Sequence, residues 1–252
     1  MTLTPPEKMR YLRQTVLPGV GVDGQTKLKA AKVLVIGVGG LGCPSALYLA
    51  AAGVGTIGLV DFDVVALSNL QRQILFGNAT LGTTKVATAI TRLSDMNPHV
   101  TLVPHSEKLS AENAATILKD YDIILNGADN FTARYVVNDT CVALQKPLVD
   151  AAILRFEGRI TVFDSANGSP CYRCLYPVAP PPDQTPNCQE AGVFGALPGI
   201  IGSMQAMETL KVILGIGETL VGRLLLYDAL TQKFRDMKIS RNKDCAVCGP
   251  QA

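Results

Sequence analysis

The chain has 252 residues with 23 basic and 21 acidic side chains, a formal net charge of +2. Apolar residues make up 48% and charged residues only 17%, so the chain can bury a substantial core and is not disordered. The near-neutral balance gives no general electrostatic reason to bind nucleic acid or anionic lipid.

At the N-terminus, Glu7, Lys8, Arg10 and Arg13 leave no apolar run of the kind a secretory signal needs, so a cytoplasmic location is expected. Seven cysteines in that reducing compartment point to metal binding or reactive thiols rather than disulfides. The longest uncharged run, Val33 to Val60, is 28 residues but holds seven glycines and Pro44. It reads as strand (Lys32 to Gly37), glycine turn, Ala-rich helix (Leu41 to Ala52) and second strand (Thr56 to Val60), not as a membrane span. This βαβ unit predicts parallel strands and a right-handed crossover.

Residues 83–96 place Val86, Ile90 and Leu93 on one helical face, followed by a strand at Val100 to Val103. Ser110 is expected to cap a helix running to about Lys119. A strand at Asp122 to Asn126 precedes a helix carrying Val137, Cys141 and Leu144. Strands follow at Pro147 to Ala151 and Arg159 to Phe163, then a helix from about Ile200 to Leu214, and a closing pair at Arg223 to Asp228 and Lys233 to Ile239. The expected fold is α/β in one domain: a Rossmann-like parallel half at about 25–150, continuing into a mixed sheet at about 151–252.

Four motifs carry chemistry. Gly37-Val-Gly39-Gly40-Leu-Gly42 follows a strand and opens a helix, with Asp61 nineteen residues after its last glycine. Glycines there admit a tight turn and close phosphate approach, and a carboxylate at that distance suits ribose hydroxyls. The motif alone fits a dinucleotide or ATP equally, and a tight βα turn that binds nothing is the plain alternative. Ser68-Asn69-Leu70-Gln71-Arg72 follows Asp61 and Asp63, and Lys85 opens the next helix; two cations beside a glycine turn suit a triphosphate, though both could be simply solvated.

Asp129 and Asn130 stand at a strand end, where a carboxylate could hold Mg²⁺, although either residue could merely cap the following helix. Cys171-Tyr-Arg-Cys174 and Cys245-Ala-Val-Cys248 are two CxxC pairs, the spacing of a closed, structural zinc site with four cysteine ligands. Cys188, in a polar, proline-rich stretch, lies outside both pairs; no nearby histidine activates it as a nucleophile.

Together these residues resemble the MoeB/ThiF family, relatives of the ubiquitin-activating enzymes, over nearly the whole chain. The specific pieces are Gly37 to Gly42, Ser68 to Arg72, Ala128-Asp129-Asn130, Cys171 to Cys174 and Ala191-Gly192. The resemblance implies a homodimer that adenylates the C-terminal glycine of a ubiquitin-like sulfur carrier ending in Gly-Gly, with a MoaD-like carrier first and a ThiS-like carrier second. It implies that Gly40 and the turn hold ATP and that Asp61 takes the ribose. Asn69, Arg72 and Lys85 would meet the phosphates, Arg13 would reach in from the partner subunit, and Asp129 would be the magnesium-linked acid. Cys188 would act only after adenylation. From the end at Ala252, a chain without a fused rhodanese domain and a separate sulfur donor are expected. The chain departs from the pattern at Asn126-Gly127-Ala128, where many relatives have Asp-Cys-Thr. Two other readings are weighed beside this one: an NAD-dependent oxidoreductase and an inactive carrier-binding scaffold.

Overall fold

The computed structural model describes residues 2–181 and 191–250. Its framework is one eight-stranded sheet in the order β3-β2-β1-β4-β5-β6-β7-β8. The strands are β1 (Lys32–Ile36), β2 (Thr56–Val60), β3 (Thr101–His105), β4 (Ile123–Asn126), β5 (Leu148–Leu154), β6 (Glu157–Phe163), β7 (Arg223–Asp228) and β8 (Lys233–Lys238). From β3 through β5 neighbouring strands are parallel; from β5 through β8 they are antiparallel. The architecture is thus the mixed α/β sheet expected, parallel first and antiparallel after.

The helices are α1 (Pro5–Arg10), α2 (Leu12–Thr15), α3 (Gly21–Ala30), α4 (Gly42–Ala52), α5 (Lys85–Met96), α6 (Ala114–Leu118), α7 (Phe131–Ala143), α8 (Tyr172–Leu175) and α9 (Leu197–Leu214). Parallel strands buried on both faces need apolar side chains at every position, which is why KVLVI and IILN read as continuous runs. Val33, Val35, Ile57 and Leu59 point into a core covered by α3, α4, α5 and α9. Leu34, Ile36 and Ile124 point to the opposite core under α6, α7 and α8. Among the described residues no helix is long and apolar enough to cross a membrane.

Three expectations need correction. Ser110 does not cap α6: its own N–H is taken by the Asn113 side chain at 2.8 Å, and that reversed turn delays the helix to Ala114, with Asn113 in the cap position. The helix expected from Ile200 begins at Leu197, because Pro198 fits the first turn, where no N–H is needed. Strand β5 extends past Ala151 to Leu154 and turns back into β6 through Arg155, whose φ is +53°.

Order 3-2-1-4 puts a switch point between β1 and β4, where the chain leaves the sheet in opposite directions and a crevice opens beyond the strand ends. The two strand-end glycines meet there: a Cβ on Gly37 would lie 3.2 Å from the Gly127 carbonyl oxygen. Helix α9 closes the crevice from one side. Gly202 packs so closely on α4 that an added Cβ would stand 2.5 Å from Pro44, and Ser45 donates its hydroxyl to the Gly202 carbonyl at 2.9 Å.

Candidate functional site

The glycine turn is built by two positions that tolerate no side chain. Gly37 adopts φ +82°, a left-handed conformation disfavoured for residues with a Cβ, and a Cβ on Gly42 would fall 1.9 Å from the Gly37 carbonyl oxygen. The turn then enters α4. Gly37 donates its N–H to Val60 and Val38 donates to Asp61, but Gly39, Gly40 and Leu41 have no N–H acceptor among the described residues. Unpaired N–H groups at the head of an eleven-residue helix form an anion cradle.

Asp61 ends β2 beside this cradle. Its carboxylate accepts from Val38 N–H at 2.8 Å and from Asp63 N–H at 2.9 Å, tying the turn to the next segment and leaving lone pairs for a further donor. Burial pushes its pKa up, against the pull of those donors and of Lys85. Lys85 is buried, and its ammonium is 2.7 Å from Asp63 Oδ2. Asp63 therefore serves first as the counter-ion of Lys85, a pairing across 22 residues that spacing could not reveal.

Arg72 lies on the other side of the cradle. Its Cδ would be 3.7 Å from a Cβ on Gly40, and among the described residues its guanidinium donates to the Ser68 carbonyl alone, at 3.0 Å. Ser68 and Asn69 belong to a 3-10 turn (Leu67–Asn69), and the Asn69 side chain accepts from Ala66 N–H at 3.1 Å, which keeps the turn shut. Leu70 is half-buried and packs on the core. Gln71 is pressed against Gly195, where an added Cβ would lie 2.5 Å from Gln71 Oε1. Pro198, at the start of α9, would stand 3.3 Å from a Cβ on Gly40, so the cradle is walled by both halves of the chain.

Asp129 follows β4 at the mouth of the crevice. It is exposed and, among the described residues, accepts one bond, from its neighbour Asn130 at 3.2 Å. The capping alternative is settled between the two: Asn130 is the N-cap of α7, accepting from Ala133 N–H at 2.9 Å, and Asp129 is not. A carboxylate that caps nothing is free to hold a cation or a donor.

A buried network behind this loop escaped sequence reasoning. Asn126 accepts from Ala128 N–H and donates to Asp150, which also pairs with Arg134 of α7 at 2.8 Å. Gln205 of α9 donates to the carbonyls of Asn126 and Val149. The network fixes where β4 releases the chain towards Asp129. Asn126 suits it because an acid there would face the Asp150 carboxylate, whereas the amide donates to it. The available signal was Asp150, the one charged residue of the otherwise apolar strand β5.

Four cysteines from the two CxxC pairs converge at the far edge of this face. The sulfurs of Cys171, Cys174, Cys245 and Cys248 all lie within 4.8 Å of one another, with separations of 4.0, 3.7 and 3.4 Å between paired atoms. A tetrahedral ion with metal–sulfur bonds near 2.3 Å requires sulfurs about 3.8 Å apart, so the set fits zinc. No two of the four are disulfide-bonded. Burial pushes the Cys171 thiol up and Cys248 to about 11; at Cys245 burial is outweighed by N–H groups of Cys248 and Val247, which bring it down to about 7. Arg173, between Cys171 and Cys174, forks onto Asp139 of α7 at 2.7 and 2.9 Å and anchors the cluster.

Arg13, on α2, is exposed and sits among exposed apolar side chains, Met9, Leu12, Val16 and Leu17. Cys188 lies outside the described residues.

Residues 11–247 match the model of the ThiF family. The chain is 50% identical over 243 residues to "Adenylyltransferase and sulfurtransferase MOCS3" of Aedes aegypti, covering 96% of this chain and 55% of that protein. It is 49% identical over 255 residues to "Sulfur carrier protein adenylyltransferase" of Thermus thermophilus, covering all of this chain and 94% of that one. The chain thus spans about half the length of the MOCS3 relatives it matches. Among solved structures, E. coli MccB with MccA-N7isoASN superposes with a TM-score of 0.84 at 23% identity, over 95% of this chain and 75% of that one, a likeness of fold.

Proposed function

From the premise that this chain belongs to the ThiF family, we propose that it adenylates the C-terminal carboxylate of a ubiquitin-like sulfur carrier, using ATP and Mg²⁺. The observation that carries the reading is the cradle of free N–H groups at Gly39, Gly40 and Leu41, with Arg72 beside Gly40, Lys85 acting on Asp61, and Asp129 two residues beyond Gly127, which meets Gly37. Relatives named as adenylyltransferases at about half identity support it.

The chemistry asks for little beyond charge and position. A carboxylate is already ionised at neutral pH, so no general base is required. Its oxygen attacks the α-phosphorus, the bond to the β-phosphate breaks, and pyrophosphate leaves with the electron pair. Both partners are anionic, so Arg72 and Lys85 offset their repulsion and stabilise charge on the leaving group. The cradle fixes the phosphate chain; Asp61 receives the ribose hydroxyls. Asp129 would hold Mg²⁺, which supplies charge neutralisation across the phosphates when bound.

The rest of the reading follows the resemblance. Cys171, Cys174, Cys245 and Cys248 would hold a structural Zn²⁺ that staples the C-terminal segment to α8. The exposed apolar side chains around Arg13 support a homodimer in which that arginine enters the partner's site. The nucleotide half (about 25–150) would serve the phosphates and the second half (about 151–252) the carrier. A MoaD-like carrier in molybdopterin synthesis is preferred to a ThiS-like carrier in thiamine synthesis, with sulfur delivered by a separate donor in the cytoplasm. Cys188 would matter only after adenylation, because attack of a carboxylate on phosphorus needs no thiol.

The test is to mix the protein and ATP–Mg²⁺ with each candidate carrier and to read AMP addition to the carrier by intact mass. No adduct with any carrier, together with thermal stabilisation by NAD instead of ATP, would overturn the reading in favour of an oxidoreductase.

A further inference from the structure

Among the described residues, one buried side-chain nitrogen or oxygen has no hydrogen-bond partner: Oε1 of Gln73. Gln73 is 4% exposed and follows the Ser68 to Arg72 segment, with its backbone N–H held by the Asn69 carbonyl at 2.9 Å and its carbonyl taken by Phe76 N–H. The backbone is therefore satisfied, and the side chain is fixed from below. Its other terminal atom, Nε2, is directed at the cradle: a Cβ built on Gly39 would lie 3.7 Å from it. That nitrogen has no acceptor among the described residues, and so points a donor at the place where an anion would sit.

A carboxamide whose buried oxygen is unpaired, and whose amide nitrogen faces the cradle, has no structural logic in a packed core. Leucine or methionine would fill the same volume with no polar group to desolvate, and natural cores pair such groups almost without exception. Features that break a local rule in this way collect at functional sites.

We propose that Gln73 is a phosphate-binding residue, whose Nε2–H donates to an anionic oxygen of a nucleoside triphosphate lying over Gly39 and Gly40. This rests on the nucleotide reading above and adds a residue to it. Gln73 supplies a neutral donor on the floor of the cradle, where Arg72 and Lys85 supply charge from its walls. Neutrality matters because the charge there must not hold back departing pyrophosphate. The unpaired Oε1 is the cost of holding the amide in that orientation, and it implies opposite effects on stability and on binding when the amide is removed.

The experiment titrates Mg²⁺–ATP, and separately adenosine, into the full-length protein and the variants Gln73→Leu, Gln73→Met and Gln73→Glu, and melts each in the absence of ligand. We expect Leu and Met to weaken ATP roughly tenfold or more, to leave adenosine affinity unchanged, and to melt no lower than the parent. Glu, with a carboxylate facing phosphate, should be weaker for ATP than either. The proposal is overturned if Leu and Met keep the parent's ATP affinity, or if they melt lower and lose ATP and adenosine alike. A parent protein that binds no Mg²⁺–ATP would instead sink the nucleotide reading itself, which separates the two failures.

Discussion

The Lys85 ammonium stands 2.7 Å from the Asp63 carboxylate, and the lysine side chain is 6% exposed while the aspartate side chain is 50% exposed. A buried cation is thus balanced by an acid that water still reaches. A polyanion entering the cradle can take over that balancing role from Asp63. We expect Asp63→Asn to lower the stability of the free protein by about 1–2 kcal/mol, since it leaves a buried charge unpaired. Mg²⁺–ATP should then raise the melting temperature more in the variant than in the parent, because ligand phosphate replaces the missing acid. Thermal melts with and without Mg²⁺–ATP check this. An equal rise in both proteins would detach the pair from the nucleotide site.

Asp129→Ala should leave the fold intact, because the side chain is exposed and α7 is capped by Asn130. Carrier-dependent pyrophosphate exchange should fall by roughly a hundredfold or more. Mixed with an Arg13→Ala chain, it should regain activity in the heterodimer, where one of the two sites has both residues. Near-parent exchange by the single variant would reduce Asp129 to a surface acid, and failed rescue after proven subunit exchange would put Arg13 in its own chain's site.

Cys248→Ser should remove zinc and destabilise the protein by on the order of several kcal/mol, with the loss centred on the C-terminal segment. Metal analysis and hydrogen exchange read both effects. Since Arg173 still grips Asp139, α8 should stay docked on α7 while the segment around residues 242–250 exchanges freely. Protein purified without chelator that carries no zinc would contradict the assignment.

Glu7 gives an acid-side prediction. It accepts from Thr4 N–H and hydroxyl at 2.7 and 2.8 Å and from Lys29 Nζ at 2.8 Å, locking α1 onto α3. Burial opposes its ionisation, but the Lys29 and Thr4 donors prevail and bring its pKa down from 4.5 to about 2. A depressed carboxylate stabilises the fold fully above its unfolded value and loses that contribution as pH falls from about 4.5 towards 2. The total is about 2 kcal/mol, reduced from the full linkage value because Lys29 is partly solvated. Glu7→Gln should therefore flatten the stability profile over that interval and leave its shape above pH 5 unchanged, as denaturant melts at stepped pH would record.

What could be read ahead of the structure was governed by burial. β1, β2 and β4 announce themselves as apolar runs because both faces are covered, and the glycine turn is legible because its constraint is local. Helices α1 to α3 were not anticipated: GVDGQTKLKA has two glycines and few apolar side chains, and it is helical because Leu28 and Gln25 are buried against its neighbours. β8 is exposed at all six positions and is a strand by virtue of its pairing with β7. Site residues named for their type were brought around one crevice where they are local to strand ends. The functions of Asp63 towards Lys85, of Asn126 towards Asp150, and of the orphaned Gln73 amide arise from partners that only tertiary packing supplies.

The seam between α4 and α9 joins Pro44 to Gly202 and Gly40 to Pro198, pairs separated by more than 150 positions. During synthesis, the strand and turn that define the cradle emerge from the ribosome more than 150 residues before the wall that closes it. The nascent protein therefore passes through a long interval in which its most distinctive loop exists without its closing wall, its apolar flank bare. A small solute able to bind the finished cradle gains nothing from meeting the unfinished one. Its capacity to rescue a destabilised chain begins only when translation has passed α9.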